Sequence, residues 1–149
     1  MKKLAFSAVI GASRETVWDV MLAPATYQRW TAAFSEGSRF EGSRAEGSRI
    51  LFLGPGGDGM VSEVAESRRP ESLSLRHLGM IRDGVEDTTS EAVKGWVGAR
   101  ESYRLSETGG ATELQVDLDV APDFEEYMLR TWPIALGTLK EICEAKAGA

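Results

Sequence analysis

Between Thr112 and Cys143 the hydrophobic period of the chain changes once, and that change constrains the fold more than any other feature. Over 112–120, Leu114, Val116, Leu118 and Val120 alternate with Glu113, Gln115, Asp117 and Asp119. This is the two-residue repeat of a strand with one face in the core and the other in water. Beyond Pro122-Asp123 the repeat becomes helical. At about 100° per residue, Phe124, Met128, Trp132, Ala135, Leu136, Leu139, Ile142 and Cys143 fall on one broad stripe, with Glu126, Lys140, Glu141 and Glu144 opposite. A long amphipathic helix therefore has to bury its stripe against a sheet that has only one dry face. Asp123 and Glu126 are spaced as a capping box. Pro133 predicts a kink or a broken first turn, because it lacks an N–H and crowds the carbonyl of Leu129.

The preceding residues supply the sheet. Leu4, Phe6, Ala8 and Ile10 alternate with smaller residues as a half-buried first strand. Met1-Lys2-Lys3 followed by LAFSAVIGA imitates a secretory signal, but cleavage near Ala12 would leave it shorter than such signals are. The strand reading implies a cytoplasmic protein with a reduced thiol. Ser13 can cap a helix from about Arg14 to Leu22, with Val17, Val20 and Met21 as its stripe. Pro24 restarts a short helical turn carrying Tyr27 and Trp30.

From Phe34 the pattern is broken by EGSR, which occurs three times, at Glu36–Arg39, Glu41–Arg44 and Glu46–Arg49. A five-residue spacing matches neither structural period, so the stretch reads as two short strands around a turn and the repeat as incidental. Ile50–Leu53 and Met60–Glu66 read as strands. The GPGGDG between them satisfies G-x-G-x-x-G, yet it sits between two strands rather than opening a helix, and so reads as a hairpin loop. Leu73, Leu75 and His77 alternate along a strand to about Met80. Arg82 to Lys94 is acidic and broken by Gly84, a loop or lid with a helical turn near Ser90–Val93. Strands at about Trp96–Ser106 and Thr112–Val120 are joined at Gly109-Gly110.

Composition removes several functions. The chain has 149 residues, the length of one domain on a prior of roughly 100 to 200 residues, and is read as a single domain over 1–149. Its net charge is -6, without the basic footprint that nucleic acid demands. No run of about 18 apolar residues could insert into a membrane. One cysteine, Cys143, excludes an internal disulfide, one histidine, His77, excludes a His-rich metal cage, and no asparagine is present for N-glycosylation. No metal and no cofactor is implied.

The order of strand, two short helices, about six antiparallel strands and a long last helix is that of the α+β helix-grip fold, a curved sheet wrapped around the C-terminal helix. Ile10-Gly11-Ala12-Ser13 followed by Thr16-Val17-Trp18 resembles the I-x-A-P-x-x-x-V-W opening of the START-like (SRPBCC) superfamily, in the branch related to the activator of the heat-shock ATPase (AHSA-like). GSRILFLGPGGDGMVSEV, SLRHLG and WPIALGTLKEICE are similar to an uncharacterised bacterial set within that branch. The resemblance covers essentially the whole chain and implies the fold more than the function, because such relatives include lipid carriers, polyketide cyclases, hormone receptors and chaperone regulators. Two positions depart from it. Ser13 replaces the family's proline, and Arg44 stands where relatives commonly place a tryptophan.

A sheet gripping one helix leaves a cavity between its concave face and that helix. Alternation nominates the lining: Leu75 with His77, Glu101 with Tyr103, then Phe52 and Trp96, and Met128 and Trp132 from the helix. Each of these side chains, taken alone, could equally fill the core. His77 and Glu101 are the sharpest pair, able to act as general base and orienting partner with Tyr103 as proton donor, or simply to form an ion pair. Cys143 has no neighbouring histidine or second cysteine and reads as an inert thiol. Asp117, Asp119 and Asp123 read as solvated surface rather than a cation site.

Three classes of function follow. The first is a binding or carrier domain for a hydrophobic or aromatic small molecule, lipid- or polyketide-like. The second is a cofactor-free cyclase or dehydratase using His77, Glu101 and Tyr103. The third is a co-chaperone-like domain with a protein partner, which would need an exposed apolar patch.

Overall fold

A computed structural model describes residues 1–148. The alternating N-terminal residues form β1 (Lys2–Ile10), paired antiparallel along its length with β8 (Ala111–Val120). The register sets Leu4 opposite Leu118, Phe6 opposite Val116 and Ala8 opposite Leu114, so the apolar sets of both strands share a face. Between them in sequence come α1 (Arg14–Leu22) and α2 (Pro24–Trp30). Ser13 caps α1 by accepting from the Thr16 N–H, and Pro24 occupies the first turn of α2, where its missing N–H costs nothing.

The remaining strands are β2 (Arg39–Gly42), β3 (Arg49–Leu53), β4 (Gly59–Arg68), β5 (Ser72–Arg82), β6 (Val85–Asp87) and β7 (Arg100–Thr108). One antiparallel sheet takes the order β1-β8-β7-β5-β4-β3-β2, with β6 added to β5. It therefore has eight strands rather than about six. The additional pieces, β2 and β6, are four and three residues long, too short to show a period in sequence. Two register shifts, between Val61 and Ser62 and between Val64 and Glu66, interrupt the β4–β5 ladder, and such bulges bend and twist a sheet.

Three expectations need correction. The EGSR stretch holds one strand rather than two, and its glycines, Gly37, Gly42 and Gly47, all have positive φ, at 80°, 106° and 86°. They place one left-handed residue before β2, one at its end and one before β3, and a Cβ on Gly42 would lie 2.7 Å from the Arg49 carbonyl. A five-residue spacing fits one left-handed residue per short segment, and the stretch holds one strand followed by a turn into β3. Residues Arg82 to Lys94 carry the helical turn expected near Ser90–Val93 but are otherwise more ordered than a loop. They form the β5–β6 hairpin and the short helix α3 (Glu91–Lys94), held where the Asp87 carboxylate accepts from Ser90 and from the Thr89 and Ser90 N–H groups, and where Arg49 pairs with Glu86. Finally, Trp96 belongs to no strand. It lies in the turn after α3, where Gly98 at φ 90° reverses the backbone, and β7 begins only at Arg100.

A 3-10 turn over Pro122–Phe124 leads into α4 (Glu125–Ala147). The capping box is not formed: Phe124 holds the cap position with no side-chain hydrogen bond. Glu125 and Glu126 instead set negative charge at the positive end of the helix dipole. The helix runs through Pro133 unbroken. Leu129, whose carbonyl loses its partner there, is exposed, so water can take that acceptor.

The two halves of α4 do different work. Ala135, Leu136, Leu139, Ile142 and Cys143 are buried with β1, β8 and α1 in the main core. The N-terminal half faces a cavity.

Candidate functional site

The cavity has a volume of about 400 Å³ and is half open to the surface. That lies within the ~300–1,000 Å³ range of small-molecule sites. Its floor is the concave face of the sheet, with Phe52 from β3, Leu73 and Leu75 from β5, and Glu101 and Tyr103 from β7. Its roof is helical, with Tyr27 and Trp30 from α2, Phe34 just beyond it, and Tyr127, Met128 and Trp132 from α4.

Six of the eight residues nominated by alternation line this one space: Phe52, Leu75, Glu101, Tyr103, Met128 and Trp132. Trp96 does not, for the backbone reason given above. His77 does not either. It continues the concave face beyond Leu75, where its backbone pairs with Gly98 and Ala99 rather than with β7, and it is 7% exposed.

The roof is cross-braced. Trp132 meets Phe6, Trp30, Phe34 and Tyr103 with ring centroids 5.9, 6.2, 5.1 and 6.2 Å away. Tyr27 packs edge-on against Trp30 and Phe40 at 5.7 and 4.9 Å. The Tyr127 hydroxyl donates to the Phe34 carbonyl at 2.8 Å, and the Trp30 indole N–H donates to the Met21 carbonyl at 3.1 Å. Such buried aromatic handles fix the rings in place.

The polar groups of the floor form a row. Ser62 Oγ lies 2.7 Å from His77 Nδ1, His77 Nε2 lies 3.6 Å from Glu101 Oε1, and the Tyr103 hydroxyl donates to Glu101 Oε2. If Ser62 donates to Nδ1, the neutral imidazole carries its proton on Nε2, on the side of Glu101. Burial, then the negative charge of Glu101 and its hydrogen bond, hold the Tyr103 phenol well above the ordinary tyrosine value. Burial and the same charge raise Tyr27.

Sequence reasoning missed Tyr27, Phe34 and Phe40 as lining, while Arg44, singled out where relatives place a tryptophan, does line the cavity. The spacing of Tyr27 and Trp30, three residues apart on a short helix, was the available signal for the first. Arg44 donates to the Leu22 carbonyl at 2.5 Å, and its guanidinium lies 5.7 Å from the Phe40 ring centroid at the cavity mouth. Cys143 is buried in the core, and burial followed by the charge of Glu144 pushes its thiol up to about 12, which leaves it un-ionised and inert. Among the described residues, no three His, Cys, Asp or Glu side chains converge as a metal site requires, and no helix is long and apolar enough to cross a membrane.

An eight-stranded antiparallel sheet gripping a long last helix, with a cavity between them, is the helix-grip fold. No family model matches the chain, and no curated protein does. Solved structures do. The Aha1 dimer from Colwellia psychrerythraea superposes with a TM-score of 0.73 at 19% identity over 97% of both chains. The AHSA1-like protein from Aeromonas hydrophila gives 0.67 at 21% identity, over 97% of this chain and 94% of that one. DynU16, described as a putative protein in the dynemicin biosynthetic locus, gives 0.70 at 16% identity; the match covers 99% of this chain and 49% of that one. Identities this low establish a shared fold.

Proposed function

We propose that the protein binds a hydrophobic or aromatic small molecule in the cavity between sheet and α4. The observation that carries this reading is the lining: an aromatic-rich space of about 400 Å³ in which Tyr103 and Glu101 set a hydrogen-bonded polar pair into an otherwise largely apolar floor. Pockets of this kind bury most of a small ligand's surface and orient it by a few polar contacts. A fold neighbour from a biosynthetic locus, DynU16, is compatible with a small organic ligand.

A co-chaperone-like docking role has less support. Phe124, Leu129 and Ile134 are exposed on and beside α4. At about 100° per residue, Leu129 and Ile134 lie about 140° apart around the helix axis, so they do not form one patch.

Acid–base catalysis is a second reading, favoured by one observation, the Ser62–His77–Glu101–Tyr103 row. His77 could act there only through Glu101, because His77 itself does not line the cavity. On that reading His77→Ala leaves the fold intact and abolishes turnover.

The test of ligand binding is a chemical-shift screen of labelled protein with fatty acids, flavonoids and aromatic polyketides. Binding in the cavity shifts Leu75, Tyr103, Met128 and Trp132, while Leu139 and Cys143, buried in the core about two turns or more along α4 from Trp132, stay put. If none of the three classes shifts the cavity residues, the reading fails.

A further inference from the structure

We propose that the cavity selects ligands whose aromatic body ends in a protonated amine, with Glu101 as counter-ion. This rests on the cavity being a ligand site and specifies the chemistry of that ligand.

Three residues with formal charge line the cavity among the described residues: Arg44, Asp58 and Glu101. Arg44 and Asp58 stand on exposed turns at the mouth and are already engaged. Arg44 holds the Leu22 carbonyl, and Asp58 accepts the Asp83 N–H. Glu101 alone rises from the middle of the floor, on a strand flanked by β5 and β8, with its side chain 22% exposed. A carboxylate set in an aromatic wall is costly unless its acceptor sites are filled. Its two oxygens offer about four lone-pair directions. Tyr103 takes one, and the 3.6 Å approach of His77 is too long for a hydrogen bond.

The surroundings favour a cation as the remaining donor. Burial first, and the nearby charge of Glu101 second, keep the phenols of Tyr27 and Tyr103 protonated. They act as hydrogen-bond donors or as neutral ring faces, never as competing anions. Tyr27, Phe52, Tyr103 and Trp132 present electron-rich rings to the same space, with Tyr27 and Phe52 centroids 6.3 Å apart. Ring faces attract ammonium groups, most strongly where water is excluded. One carboxylate with several aromatic faces is thus a complementary receptor for R–NH₃⁺, while the same floor repels R–COO⁻.

A matched series of probes tests this: 2-(2-naphthyl)ethylamine, 2-(2-naphthyl)ethanol and 2-naphthylacetic acid, titrated at neutral pH by tryptophan fluorescence and checked by chemical shift at Tyr103. The amine is expected to bind about tenfold or more tighter than the alcohol, as a charge-assisted hydrogen bond allows, and the acid weakest. Glu101→Gln is expected to bring the affinities of amine and alcohol together. Should Glu101→Gln not fold, the order among the three probes on the unaltered protein still decides.

Equal affinities for amine and alcohol, a preference for the acid through Arg44, or an amine preference that survives Glu101→Gln would overturn the proposal while leaving the cavity a ligand site. Failure of all three probes, together with a negative ligand screen, overturns the site itself and the proposal with it.

Discussion

Replacing Trp132 with alanine removes the side chain that divides the core from the cavity. Trp132 is 3% exposed and touches four aromatic rings, Phe6, Trp30, Phe34 and Tyr103. A buried indole removes about 200 Å² from water, which at about 25 cal/mol per Å² is worth on the order of 5 kcal/mol. Measured Trp→Ala losses in cores run about 3–5 kcal/mol. The void left by Trp132→Ala joins the cavity, so water can enter and soften the penalty, and about 4 kcal/mol is expected. At about 2–4 °C per kcal/mol for a chain of this size, the Tm falls by roughly 8–16 °C. Trp132→Phe keeps a ring in contact with Phe34 and should lose about half as much.

The assay is urea unfolding followed by far-UV circular dichroism, with the slope m compared to confirm that the denatured reference is unchanged. Trp96→Ala is the internal control. The same aromatic type, half-buried in the turn after α3 and outside the cavity, should lose no more than about 1.5 kcal/mol. A loss below about 2 kcal/mol for Trp132→Ala at constant m, or equal losses for the two tryptophans, would refute the assignment of Trp132 as the roof's keystone.

Three further predictions concern the phenols and two glycines, one in the sheet and one in α4. The native phenols of Tyr27 and Tyr103 are raised by burial first and by Glu101 second. Their contribution to stability is therefore complete below the ordinary tyrosine value, about 10, and is lost as pH rises toward the native values. Ring-carbon NMR should find both phenols un-ionised at about pH 11; ionisation near 10 in either would contradict the burial argument. Among glycines, a Cβ on Gly79 would lie 2.1 Å from the Asp87 carbonyl, whereas one on Gly137, exposed in the middle of α4, meets nothing within 4 Å. Gly79→Ala should cost at least about 2 kcal/mol by forcing β5 and β6 apart, and Gly137→Ala should stabilise by about 0.5–1 kcal/mol. Thermal denaturation reads both, and a stabilising Gly79→Ala would be incompatible with the β5–β6 register.

The parts of the fold legible in sequence are those with enough repeats to show a period. β8 and α4 span 10 and 23 residues, and the periodicity of their residues is enough to assign their faces. β2 and β6, at four and three residues, are too short for that. The same distinction governs the cavity. Alternation identifies which side of β3, β5 and β7 a residue occupies, and so places Phe52, Leu75, Glu101 and Tyr103 on the concave face. It carries no information about how far along that face the cavity extends. His77 has the correct parity, two residues beyond Leu75, yet lies outside the space, where the β5–β7 ladder has ended and β5 pairs with the turn at Gly98 and Ala99. Trp96 departs for a different reason, since strand parity does not carry across a backbone reversal that only Gly98, a single residue, encodes. Tyr27 and Phe34 reach the site from short helical segments, and only tertiary packing decides what those segments cover.

Energetics indicate why such a space persists. At about 24 cal/mol per Å³, a closed and empty apolar void of this size would cost on the order of 10 kcal/mol, comparable with the whole stability of an ordinary domain. Two features reduce that cost. The cavity is half open, with Ser35, Ser38, Arg44 and Asp58 at or near its mouth and Glu101 on its floor, so solvent can wet part of it. Its roof cannot collapse cheaply either, because Trp30 and Tyr127 are pinned by hydrogen bonds to the Met21 and Phe34 carbonyls. Closing the gap would break those bonds inside an apolar layer, at about 1–3 kcal/mol for each group left unsatisfied. The protein is thus held between a costly void and a costly collapse. An occupant that covers the aromatic rings and satisfies Glu101 relieves both, and at a concentration of about 100 Kd it would add about 2.7 kcal/mol to the folded state.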